Sequence, residues 1–129
     1  MYNNLWYQAL NKSVLTPPSI IFSTVWPILY VFMAVSVYFY IKSSSTREKT
    51  FALRVFAIQL LLNLLWSPIF FVSHNVYLAF VVILFILIFV LWTIVLFHKT
   101  SKTAAYLLIP YFLWLMFAAY LNFEIIRLN

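Results

Sequence analysis

Four apolar runs, each of membrane-crossing length and almost free of charge, leave this chain few folds to choose from. They cover residues 19–41, 51–72, 76–97 and 104–126, or 22 to 23 residues apiece. Inside hydrocarbon no water pairs with backbone amides, so a spanning segment must be a helix or a strand of a closed barrel. Barrel strands need only about 9 to 11 residues, whereas a helix rising about 1.5 Å per residue needs about 20 to cross roughly 30 Å. The runs therefore predict an all-α integral membrane bundle of four transmembrane helices, one domain over residues 1–129. A chain that is 67% hydrophobic and only 8% charged is too apolar for a soluble domain of this size. The expected surroundings are a lipid bilayer.

Charge sets the expected orientation. Lys42, Arg47, Lys49, Arg54, Lys99 and Lys102 flank the runs on one side, and Lys12 and Arg127 flank them on the other. By the excess of Lys and Arg, both charged loops, 42–50 and 98–103, are expected in the cytoplasm and both termini on the opposite side. The basic residues lie outside the runs and do not alternate with aromatics, so the net charge of +6 is read as a topology signal and no nucleic-acid partner is expected. The chain has no cysteine, which excludes disulfides, thiolate catalysis and thiolate metal sites. His74 and His98 fall at the ends of runs with no carboxylate beside them, so no metal site is expected.

Polar groups within the runs carry the functional information. The second run places Gln59, Asn63, Trp66 and Ser67 within an arc of roughly 100° on one helix face. Lipid offers an amide no hydrogen bond, so this face must meet a neighbouring helix, a ligand or a water-filled cavity. In the first run Phe22, Ser23, Trp26, Tyr30, Met33 and Val37 share a stripe around Pro27. In the fourth, Tyr111, Trp114, Ala118 and Asn122 fall within about 80°. The third run is almost wholly Leu, Ile, Val and Phe, with Thr93 as its polar exception, and is expected to be the most lipid-exposed helix. Trp6 and Trp92 lie near run ends, as interfacial belt residues do, whereas Trp114 sits near mid-span. Tryptophan and tyrosine converging beside two amides would suit a planar, mostly apolar ligand, and they would equally suit core packing.

Four ordered blocks resemble one family. LWYQALNKSVLTPP at 5–18, VWPILY at 25–30, QLLLNLLWSPIFF at 59–71 and LLIPYFLWLMFAAYLN at 107–122 are similar in content and spacing to the translocator protein, or tryptophan-rich sensory protein, family. The resemblance implies a helical bundle, often a homodimer, that binds porphyrins or other hydrophobic small molecules in a receptor or transport-linked role. Its pocket positions carry over as Tyr7 from a lid-like loop, Trp26, Tyr30, Asn63, Trp66, Trp114 and Ala118, with Gln59, Tyr111 and Asn122 as supporting residues. Of the two amides, Asn63 is expected to face the ligand and Gln59 to hold helices together. The family pattern has five spans, so its first helix is expected to be missing from this chain. Ser13 and Leu15 replace the usual Pro and Trp of the lid. No protein-bound cofactor is implied beyond a porphyrin or heme-type ligand. Catalysis is not expected from these residues, although some bacterial relatives are associated with light-dependent porphyrin breakdown. Two other readings remain open: a small four-helix exporter, which would need an ionisable group deep in a span, and an accessory membrane subunit that binds nothing.

Overall fold

A computed structural model describes residues 19–43 and 48–128. Four helices occupy them: α1 (Ser19–Ser43), α2 (Glu48–Phe71), α3 (Val76–His98) and α4 (Lys102–Leu128). All four are long and apolar enough to span a membrane, and their bounds follow the expected runs to within a few residues. The loop expected over 42–50 is shorter than its hydrophilic sequence suggests, because α1 continues through Ser43 and α2 begins at Glu48. Ser45 and Thr46, the expected caps of α2, and Tyr7 of the expected lid lie outside the described residues.

Each of three helices continues past an internal proline: Pro27 in α1, Pro68 in α2 and Pro110 in α4. A membrane helix tolerates this because neighbouring helices and local adjustments satisfy the freed backbone groups. The α2–α3 turn is built without glycine. Val72 and Ser73 amides both donate to the Pro68 carbonyl (2.9 and 3.0 Å), and His74 takes the left-handed conformation (φ 56°) that a glycine would otherwise supply. Asn75 then caps α3, its Oδ1 accepting from the Leu78 amide at 2.9 Å. Ser101 does the same for α4, its Oγ accepting from Ala104 N at 3.2 Å. Ser101 is buried, so water cannot replace that bond. Ser101→Ala is expected to destabilise the protein by about 1 kcal/mol, read as a lowered thermal midpoint in detergent, with a smaller loss for Ser101→Thr.

Packing runs around the bundle in the order α1, α4, α3, α2. Although consecutive in the chain, α1 and α2 meet only sparsely. The larger core cluster among the described residues includes Leu29, Met33, Ile86, Val90, Leu108 and Leu115, and a smaller one gathers Phe70, Ala79 and Ile125. The expectation that the third span is the most lipid-exposed is not met: α3 packs against both α2 and α4, and a larger share of it is buried than of α1 or α2. Uniform apolarity cannot distinguish lipid from a neighbouring helix, since both accept the same side chains. What marks the packed face of α3 is small size, at Ala79 and Thr93, both fully buried.

Candidate ligand site

The polar faces of α1, α2 and α4 converge on one hydrogen-bonded chain. Tyr30 Oη donates to Asn63 Oδ1 (2.6 Å), and Asn63 Nδ2 donates to Tyr111 Oη (3.0 Å). Tyr111 Oη in turn donates to Gln59 Oε1 (2.7 Å), and Gln59 Nε2 reaches Met33 Sδ at 3.8 Å. Gln59 and Asn63 are one helical turn apart, so the single hydroxyl of Tyr111 bridges them from α4. Tyr111 and Gln59 are fully buried, whereas Tyr30 is 37% exposed. The chain therefore runs from the surface of α1 into the core and returns to α1 at Met33.

An aromatic wall stands against it. The Trp26 ring lies 5.9 Å from Tyr30 and 6.5 Å from Tyr111, the latter edge-on at 71°. Trp26 is half-buried against the main core, so part of its surface stays open. These rings and amides form the first of two clusters.

The second cluster lies toward the α2–α3 turn. Trp66 Nε1 donates to Asn122 Oδ1 (3.2 Å), and Asn122 Nδ2 donates to the Val76 carbonyl (3.1 Å), tying α2, α4 and the start of α3 together. Trp66 stacks on Phe70 at 5.0 Å. Trp114 packs on the main core, 5.5 Å from Phe117, and Ala118 is buried as a small residue on the same helix.

The structure thus gathers Trp26, Tyr30, Gln59, Asn63 and Tyr111 into one cluster and Trp66 with Asn122 into another. Met33 as sulfur acceptor and the Val76 carbonyl were not foreseen as partners. Met33 lies on the α1 stripe three residues after Tyr30, but periodicity alone does not show that its sulfur meets an amide. Between α2, α3 and α4, the space beside Gln59 and Tyr111, lined also by Phe56, Val90, Thr93 and Leu108, is packed too closely to admit even a water molecule. Small-molecule pockets usually enclose roughly 300 to 1,000 Å³, so this closely packed region holds no macrocycle. Among the described residues no group of His, Asp or Glu could hold a metal ion. The chemistry on offer is aromatic surface with a few fixed donors and acceptors.

The sequence profile of the TspO/MBR family matches residues 1–128. The tryptophan-rich protein TspO of Chlorobaculum tepidum is 38% identical over 125 residues, covering 96% of this chain and 79% of the relative. The tryptophan-rich sensory protein of Cereibacter sphaeroides is 34% identical over 124 residues, covering 96% and 77%. The translocator protein of Ovis aries is 36% identical over 121 residues, covering 92% and 72%.

Proposed function

This chain belongs to the TspO/MBR family of membrane proteins, and from that membership we propose that it binds a porphyrin or a similar planar, apolar ligand and acts as a receptor or transport-linked sensor. The observation that carries this reading is the convergence of Trp26, Tyr30, Tyr111 and Asn63 from three helices. The region beside Gln59 is closely packed, so the ligand is proposed to lie at the partly exposed rings of Trp26 and Tyr30, beside the sparse contact between α1 and α2. Tyr30 holds Asn63 through one half-exposed hydroxyl and is the contact most easily released to a ligand. Asn63 would then turn one end of its amide to the ligand while Tyr111 keeps the other. Trp66, Trp114 and Ala118 are proposed as further pocket positions, Asn122 as support, and Tyr7 as the lid. The working form is proposed to be a homodimer.

A proton-coupled exporter is disfavoured, because no Asp, Glu, Lys, Arg or His lies near the centre of any helix. An accessory subunit that binds nothing would need only the hydrogen bonds, and not partly exposed rings such as those of Trp26 and Tyr30 beside them. The test is titration of the purified protein with protoporphyrin, read by quenching of tryptophan fluorescence. Saturable quenching is expected, and quenching that grows linearly with added porphyrin would contradict the reading.

Orientation is proposed with the α1–α2 loop and the α3–α4 turn in the cytoplasm, by the excess of Lys and Arg there. The chain lacks cysteine, so single-cysteine variants need no prior background removal. A cysteine at exposed Ser43 should react with an impermeant thiol reagent only from the cytoplasmic side, and one at exposed Ser73 only from the other. The reverse pattern would invert the topology.

A further inference from the structure

One end of the bundle carries a charge arrangement that ligand binding does not use. A layer of stacked rings closes the core there: Tyr40 of α1 lies 4.0 Å from Phe97 of α3 with planes 7° apart, and Phe97 lies 6.3 Å from Phe56 of α2. Two residues further toward this end on each of the three strands of chain stand Lys42, Lys99 and Arg54. Lys102, the first residue of α4, joins them. The Ser36 hydroxyl donates to the Ala104 carbonyl at 2.6 Å, which holds the second half of α1 against the start of α4 and so brings Lys42 and Lys102 to the same end of that helix pair. All four basic side chains are exposed. By sequence, six basic residues gather at this end against one acid, Glu48; the other acid, Glu124, is paired with Arg127 near the opposite end of α4.

Around this ring, on the outer surface, stand exposed amphipathic aromatics. Tyr38 is 59% exposed with Lys42 Nζ 5.8 Å from its ring centre, and Tyr106 is 56% exposed beside His98. Trp92 is 42% exposed and packs on Phe51 and Phe89. Aromatic belts of this kind are enriched at the headgroup layer of membranes, where neighbouring cations can meet lipid phosphates.

We propose that this end of the bundle is a binding surface for anionic phospholipid headgroups, with Lys42, Arg54, Lys99 and Lys102 contacting their phosphates and Tyr38, Trp92 and Tyr106 packing against the adjoining glycerol and acyl segments. With an apolar ring layer beneath them, the exposed cations have no polar partner in the core to compete with the headgroups. A free phosphate ion offers the same charge but no acyl chain for the aromatic belt.

Reconstitution into phosphatidylcholine bilayers containing either brominated phosphatidylglycerol or brominated phosphatidylcholine tests this, because bromine quenches only tryptophans in contact with the labelled lipid. The brominated anionic lipid should quench more strongly at equal mole fraction, with a preference that falls as salt rises. Each of Lys42→Gln, Arg54→Gln, Lys99→Gln and Lys102→Gln should reduce that preference by up to about fivefold, and Lys42→Arg should retain it. Helical content measured on each variant separates loss of preference from loss of fold, and the wild-type preference itself needs no variant. Equal quenching by the two lipids in the wild-type protein would overturn the proposal. So would loss of the preference on adding inorganic phosphate at matched ionic strength, which would assign the surface to free phosphate.

Discussion

Tyr111→Phe is expected to destabilise the protein by about 1 to 3 kcal/mol, because one hydroxyl serves two buried amides in hydrocarbon. Its removal leaves Asn63 Nδ2 without its acceptor and Gln59 Oε1 without its donor, while the ring and its packing remain. Interhelical hydrogen bonds in membranes contribute about 0.6 kcal/mol on average and up to roughly 1.7, so two lost together with burial of both amide groups give the stated range. Asn63→Leu should destabilise less, by about 1 kcal/mol, since Tyr111 keeps its bond to Gln59 and half-exposed Tyr30 can find another partner. Thermal unfolding in detergent without ligand reads both. A midpoint for Tyr111→Phe equal to that of wild type would mean that the chain of bonds does not hold α2 to α4.

Trp26→Ala is expected to weaken protoporphyrin binding by about 1 to 3 kcal/mol, the range for an aromatic anchor in a central pocket. Trp26 combines a half-buried ring with contacts to Tyr30 and Tyr111, so its removal takes away stacking surface and loosens the wall behind it. Trp26→Phe should recover part of the loss. Trp92→Ala, on the outer surface of α3, should leave affinity within a few tenths of a kcal/mol of wild type. Porphyrin absorbance titrations on the three variants measure the difference, and equal losses at Trp26 and Trp92 would indicate partitioning into detergent or lipid.

Much of this architecture was legible in the residues themselves. Hydropathy and run length located the four helices, since the bilayer permits no other way to satisfy the backbone. Helical spacing placed Gln59 and Asn63 on one face of α2 and Tyr111 and Asn122 on one face of α4, and in the structure both faces turn inward. Pairing between faces was not legible. Periodicity says which side of a helix is polar and nothing about which neighbour it meets, so Trp66 with Asn122 and Met33 with Gln59 emerge only from the packing order. The ligand role expected of Asn63 and the structural role expected of Gln59 are less distinct than their spacing suggested, because one tyrosine bonds both. The packed role of α3 was missed for a related reason: its buried face is marked by two small residues in a field of large apolar ones, a weak signal beside a polar stripe.

The claim that the α1, α2 and α4 cluster is where a planar ligand lies can be measured through the ring current of a metal-free protoporphyrin, which shifts nearby protons strongly and decays within a short distance. In protein labelled with ¹⁵N at tryptophan, the five indole N–H resonances can be assigned by single Trp→Phe substitutions and followed through a titration. The Trp26 resonance should move furthest, and saturably, while that of Trp92 stays in place. A Trp92 shift as large as that of Trp26, or shifts at all five that never saturate, would contradict the assignment of the site.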